Sequence, residues 1–466
     1  MANASQTAKK KNPVAAFFSA IGADFREIGT TFAKGDAKTR MSYVVMGYGP
    51  IRRGQLVKGF SLLATEIFFI WYMINFGGGY LSKLGTLGTI ETTKKGRKTI
   101  YGDNSFLILL YGLLTLCIIA AFIFVWRLNV RENLVEQTKL AQGRKLPTNK
   151  KVLASLLDEN FDKTLLLLPM LGIFVFTVLP IIFMICVAFT NYDKTHQSPT
   201  HLFTWVGMEN FKNLFSFGSN GFGSTFGAVL AWTLVWALLA TFIDYFLGIL
   251  VAMLINKKGI RFKKVWRTIL VMTIAVPQFV SLLYISKMFA TDGLVNEFLL
   301  AHHLISNAIP FWDNPTLAKV MIVLINIWVG IPYLMLIATG LLMNIPEDLY
   351  ESARIDGANN RQMFFNITLP YIFFVTGPFL LTQFTGNLNN FNVIYLLTQG
   401  GPTSTKLSAN AGHTDLLVTW LYKMTVNETN YKMAACIGIM VFIVTAVISL
   451  IVYNMLPSVK DEEGFQ

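Results

Sequence analysis

Runs of about 20 apolar residues recur along this chain, the length a helix needs to cross a ~30 Å hydrocarbon core. Backbone groups in lipid must bond within their own segment, so such runs are helices. Read in order, they give eight spans: 59–76, 105–128, 164–189, 227–255, 269–290, 317–342, 371–397 and 434–456. The fold class is all-α, a polytopic membrane protein with about eight transmembrane helices. Gly77-Gly78-Gly79 is expected to break the first span. Pro169 and Pro180 interrupt the third, and Pro277 lies inside the fifth. The organisation expected is a polar N-terminal region (1–58), an extra helix pair with a basic loop (59–163), a six-span core (164–456) and a tail (457–466).

Charge sets the orientation. Only 14% of the 466 residues are charged, and the net charge is +13. The basic residues sit in loops, where they hold topology rather than bind nucleic acid. With the N-terminus inside, inner segments hold 27 Lys and Arg and outer loops hold 10. Both termini are therefore expected in the cytoplasm. The basic outer loop 77–104 runs against the bias. Cys117, Cys186 and Cys436 fall in apolar spans and read as small buried hydrophobes. Within the N-terminal region, 17–28 reads either as a short amphipathic surface helix or as an unstructured tail.

Between the sixth and seventh spans lies an amphipathic stretch, 346–370, which the charge count places in the cytoplasm. Pro346 can open a helix, Glu347 and Asp348 suit its positive end, and Gly357 can end it. A second helical stretch over 359–367 is expected to stop or turn at Pro370. The bland alternative is an ordinary loop. The order Glu351, Ser352, Ala353, Gly357, Ile367, Leu369, Pro370 resembles the "EAA" signature of ABC-importer permease subunits, with Ser352 in place of a second alanine. Spans three to eight resemble the six-helix type I permease core. Spans one and two are similar to the extra pair of the larger, eight-span maltose/maltodextrin-type subunit. Residues 206–214 resemble an element of sugar permeases.

The resemblance implies a coupling helix that fits a cleft in a separate ATPase, with Glu351, Ser352, Ala353, Asp356, Gly357 and Ala358 at the contact. It also implies a second homologous permease subunit, two cytoplasmic ATPase subunits that carry ATP and Mg, an extracellular sugar-binding protein, and a bacterial plasma membrane. No cofactor is expected on this chain.

Two polar clusters interrupt the apolar spans. Asn326, Trp328, Gly330, Pro332 and Tyr333 lie in span six. Gln383, Thr385, Gly386, Asn387, Asn389, Asn390 and Asn392 lie in span seven. Uncharged amides beside aromatic faces suit hydroxyl-rich sugars. Bonding between packed helices is the alternative, but it accounts less well for four Asn and a Gln within ten residues. Gly386 and Pro332 permit broken helix beside a cavity. In the maltose-type subunit the matching motifs line the sugar site. The resemblance therefore implies substrate contacts at Asn326, Trp328, Gly330, Tyr333, Gln383, Gly386, Asn387 and Asn390. That family member has an aromatic residue where this chain has Gly386, which points to a longer or different glycan. Asp244 and Lys287 are single charges within spans and read as helix-bonding or helix-end groups, with an ion pair or a proton relay as the alternative.

No phosphate-binding loop, zinc-protease helix or nucleophile elbow occurs, so no enzyme activity is expected. The function expected is oligosaccharide import through a cavity driven by a separate ATPase. An ion-driven secondary transporter is the alternative; it needs midplane carboxylates, for which Asp244 is the only obvious candidate.

Overall fold

The computed structural model describes residues 13–456 apart from 96–97, 218–220 and 258, so the expected tail 457–466 lies outside the described residues. Among them, seven helices are long and apolar enough to span a membrane, and a bent pair makes an eighth. The described residues form two compact units: 13–186 with 196–205, and 187–195 with 206–456.

The first unit begins with α1 (Pro13–Lys34), α2 (Ala37–Met41) and α3 (Tyr48–Arg52). The spans α4 (Leu56–Lys83) and α5 (Ser105–Ala141) follow. A hairpin, β1 (Thr93–Lys95) and β2 (Lys98–Ile100), pairs Thr93 with Ile100 between them. Then come α6 (Asn149–Ser155) and α7 (Phe161–Val187). The expected break at Gly77-Gly78-Gly79 does not occur. The helix runs on through a π-turn at Met73–Gly77. Ring contacts from Phe76 and Tyr80 to Tyr111 of α5, each 5.0 Å between centroids, hold it where propensity would not.

At 37 residues α5 outruns the bilayer. Its far end buries Asn129, Val130, Asn133 and Glu136 against α2 and α3. Arg53 is the knot there. Its guanidinium donates to Asn133 Oδ1 at 2.7 Å, Asp36 Oδ1 at 2.9 Å and Thr39 Oγ1 at 2.7 Å, beside Glu136. Lys58 closes the set, donating to Glu136 Oε1 at 2.7 Å and pairing with Glu132. Asp24 and Glu27 of α1 pair with Arg127 and Arg131 of α5. Residues 13–34 are thus an anchored helix, and the unstructured-tail alternative falls for them.

The second unit contains α8 (Glu209–Leu214), α9 (Phe222–Asn256), α10 (Lys263–Ala275), α11 (Gln278–Met288), α12 (Leu294–Ala301), α13 (Pro315–Asn344), α14 (Glu347–Ile355), α15 (360–388), α16 (Phe391–Thr398), α17 (Leu417–Val426) and α18 (Tyr431–Met455). Pro277 separates α10 from α11, which meet at 91°. Two apolar clusters form where α9 packs on α13. One gathers Trp236, Ala240, Ile322, Ile325, Val393 and Leu416. The other gathers Tyr245, Ile249, Ala252, Met335, Ala338 and Ile372.

Pro370 neither stops nor turns its helix. A π-turn at Phe364–Thr368 comes just before it, and the helix continues to Leu388. Proline lacks an N–H and crowds the carbonyl four residues back; a wide turn at that carbonyl removes both conflicts. The same device recurs in α7, where the π-turn Phe174–Val178 precedes Pro180 at the same offset. Helix α13 likewise runs through Pro332 unbroken.

The 399–416 loop is held by Asp415. Its carboxylate accepts from Gly412 N at 2.7 Å, Thr419 Oγ1 at 2.8 Å and Lys423 Nζ at 2.7 Å. Burial pushes this carboxyl up, and the Lys423 ammonium opposes the shift.

Candidate functional site: a polar layer and a lever joined by one helix

Between the two apolar clusters runs a polar layer. From α9 come Thr241 and Asp244, from α13 Asn326, and from the end of α15 Asn387. Asp244, only 4% exposed, accepts from Asn326 Nδ2 at 2.8 Å. Asn387 Nδ2 donates to Thr241 Oγ1 at 3.0 Å, and its backbone carbonyl accepts from Trp236 Nε1 at 3.1 Å. Helix α15 ends at Leu388, and Asn390 starts α16 by capping Val393 N at 3.3 Å. Asn390 Nδ2 also donates to Asn387 Oδ1 at 3.3 Å. The seventh span is therefore broken, at Asn389-Asn390 rather than at Gly386. A break here leaves backbone polar groups to be met by side chains, and the cluster of Asn residues meets them.

The predicted residues divide into groups. Asn326, Asn387 and Asn390 join the layer. Gly330 belongs to it for a packing reason: a Cβ there would strike the Asp244 carboxylate. Trp328 and Tyr333 instead line a cavity of about 300 Å³ in the angle between α10 and α11, with Thr273, Gln278 and Ser281. The ring of Tyr333 stands 6.4 Å from that of Phe379 on α15. Gln383 is half-buried one turn before Asn387, and Gly386 is exposed with open space where a side chain would stand. A larger cavity of about 740 Å³, lined by Leu238, Phe242, Phe373, Phe384 and neighbours, offers a sugar no hydrogen-bonding side chain. Asp244 and Lys287 are not paired; Asp244 bonds a neighbouring helix, and Lys287 is exposed.

Sequence reading missed Thr241, Thr273, Gln278 and Ser281. They are scattered polar residues in apolar spans, and only the bend at Pro277 marks Gln278 and Ser281.

The lever is α14. Pro346 precedes it, and Glu347 and Asp348 occupy its first turn, as expected. Gly357 sits at φ +83°, and Ala358 N donates to Ala353 O at 2.9 Å, a left-handed helix end that glycine adopts without steric cost. Asn359 and Gln362 then cap the foot of α15 reciprocally, at 2.9 and 2.8 Å. Tyr350 and Thr368 share a hydrogen bond of 2.8 Å, which ties the lever to α15. Glu351, Ser352, Asp356 and Gly357 are exposed, and Ala353 and Ala358 half-buried. Leu349 and Ile355 are also exposed, Ile355 at 86%. These apolar knobs on a polar helix fall outside the EAA pattern; their signal is an unburied isoleucine with no fold partner to explain it.

The family of binding-protein-dependent transport system inner membrane components matches residues 244–461. A maltodextrin transport system permease protein, MalC of Streptococcus pneumoniae, is 34% identical over 92% of this chain and 97% of its own. The galactooligosaccharides transport system permease protein GanP of Bacillus subtilis is also 34% identical, over 90% and 97%. The maltose/maltodextrin permease MalF of Escherichia coli is 34% identical over 56% of this chain and 51% of its own. Among solved structures, a bacterial ABC transporter that imports alginate shares the fold, with a TM-score of 0.53 and 24% identity over 65% of this chain and 97% of that one. Full-length likeness to such permeases excludes the secondary-transporter alternative and any enzyme activity of the chain's own. The chain belongs to the binding-protein-dependent inner membrane components, as an integral-membrane permease subunit of the maltodextrin-type ABC importers.

Proposed function

We propose that this permease carries oligosaccharides of the maltodextrin class across a bacterial plasma membrane, with both termini in the cytoplasm. Its permease core is assigned to 164–456. A second homologous permease subunit completes the path, two ATPase subunits that hold ATP and Mg grip the coupling helices, and an extracellular sugar-binding protein delivers cargo. Asn326, Trp328, Gly330, Tyr333, Gln383, Asn387 and Asn390 line the sugar path, with Gly386 giving it room. Glu351, Ser352, Ala353, Asp356, Gly357 and Ala358 meet the ATPase.

One observation carries the reading. Asn387 of the polar layer lies at one end of helix 360–388, and the Tyr350–Thr368 hydrogen bond ties the lever to the other end. At 1.5 Å per residue it is a rod of roughly 40 Å, helical throughout apart from the π-turn at Phe364–Thr368, so motion at the cytoplasmic foot carries to Asn387. Neutral amides and aromatic rings, with no exposed charge, favour a sugar over an ion.

Uptake of labelled maltotriose into proteoliposomes tests this. It is expected to need the whole complex, internal ATP and external binding protein. Uptake by this chain alone, driven by a proton or sodium gradient, overturns it. The equal likeness to a galactooligosaccharide permease supports a second reading. Competition of maltotriose uptake by β-galactotriose, rather than by maltotetraose, would favour that one.

A further inference from the structure

The outer loop 77–104 carries five Lys and Arg against two acids, Glu91 and Asp103, on the side where basic residues are expected to be scarce. At its two roots, within the first unit, the ends of α4 and α5 enclose a cavity of about 530 Å³. Phe76 of α4 and Leu107 and Ile108 of α5 give it an apolar wall. Nearer the loop its lining turns polar, with Tyr80 and Lys83 of α4, and Asp103 and Asn104 just before α5. Along both helices the change runs the same way, from the apolar spans toward the loop, as a lipid grades from chain to headgroup. Asn75 also lines the apolar part, and its Nδ2 is turned back to Trp71 O at 2.8 Å.

The polar end offers mainly donors. The Asp103 carboxylate is already taken: Oδ1 accepts from Lys83 Nζ at 2.6 Å, and Oδ2 from Thr89 N and Ile90 N at 3.0 and 3.2 Å. The Lys83 ammonium has three hydrogens and gives one to Asp103. Asn104 Oδ1 caps Leu107 N at 3.2 Å, and among the described residues neither Asn104 Nδ2 nor the Tyr80 hydroxyl has a protein partner. A sugar, whose hydroxyls donate, would find the carboxylate occupied, and a soluble anion has no use for the apolar wall. Trp71 and Ile74 of α4, and Ile90, Ile100 and Tyr101 of the loop, are exposed nearby, side chains suited to a bilayer surface.

Resting on the orientation proposed above, we propose that this cavity binds the phosphodiester headgroup of an anionic phospholipid of the outer leaflet. Lys83 holds the phosphate, an acyl chain lies along Phe76, Leu107 and Ile108, and the net positive loop selects an anionic lipid over a zwitterionic one.

The test reconstitutes the assembled importer into nanodiscs with phosphatidylglycerol or phosphatidylcholine that carries a diazirine on its acyl chain, and maps the labelled peptides. At equal content, phosphatidylglycerol is expected to label 75–83 and 102–108 about fivefold more than phosphatidylcholine. K83Q keeps a donor for Asp103 but loses the charge, so this labelling falls about tenfold, the range of one charge-assisted hydrogen bond, while K83R retains it. Gly79 also lines the cavity, and nothing stands within 4 Å of where its Cβ would be. G79L therefore fills the space without a clash and lowers the labelling about fivefold. Equal labelling by the two lipids overturns the proposal, and so does labelling unchanged in K83Q or in G79L. Labelling abolished by soluble glycerophosphoglycerol, equimolar with the lipid, overturns it too, because the ligand is then a free phosphodiester. Should K83Q not assemble, G79L decides alone. A separate measurement checks the orientation: T99C on intact cells is expected to react with an impermeant maleimide, with the wild-type chain, whose three cysteines lie in spans, as the blank. No reaction would overturn the orientation, and the outer leaflet with it, whatever the lipid result.

Discussion

Single residues in this chain do different work from what their type suggests. Gly330 resembles a sugar-lining position, yet its lack of a side chain makes room for the Asp244 carboxyl. Gly386 is the reverse case: it is exposed, and nothing stands within 4 Å of where its Cβ would be, so a side chain there has room. An aromatic ring fits there and supplies a stacking face worth about 0.5–1.5 kcal/mol. Gly386→Phe is therefore expected to shift preference toward short substrates, by roughly 2- to 10-fold in the ratio of maltose to maltopentaose uptake. Competition assays on the reconstituted importer would read it, and an unchanged ratio would place position 386 off the sugar path.

At the scale of elements, the lever depends on one turn. Gly357 at φ +83° is inaccessible to proline, whose ring fixes φ near −65°. Gly357→Pro is expected to abolish uptake and substrate-stimulated ATP hydrolysis while the chain still inserts, as judged by its yield in membranes. Normal uptake with the ATPase still co-purifying would remove α14 from the coupling path. The lever itself was legible in the sequence, because Pro346, the acidic first turn and Gly357 act locally. Pro370 was not, since proline reads as a stop and the π-turn that accommodates it has no residue signature. The break at Asn389-Asn390 was half legible: the Asn cluster announced a polar layer, but Gly386 drew the break three residues early. The tie from Asn326 to Asp244, 82 residues apart, is a packing outcome that no local pattern encodes.

On the scale of the whole molecule, each of the two compact units has its own polar centre. That of the first is Arg53, almost fully buried among Asp36, Thr39, Asn133 and Glu136. In the sequence these residues counted only toward a positive inner face; their pairing across about 80 positions is visible only in the fold. Removing Arg53 strips Asn133, Asp36 and Thr39 of their donor while Lys58 still pairs with Glu136, at a cost of about 1–3 kcal/mol. Arg53→Ala is accordingly expected to expose residues 34–56 to limited proteolysis at least tenfold faster, with the cleavage pattern of 317–456 unchanged. Equal rates in both proteins would mean that the set contributes nothing to holding α2 and α3. As for the helix over 360–388, its stiffness makes two kinds of failure separable in a living cell. A damaged sugar layer would simply starve the cell. A pair of glycines in the middle of that helix would instead let the motor turn over when cargo arrives without moving it, so fuel would drain fastest when food is most abundant.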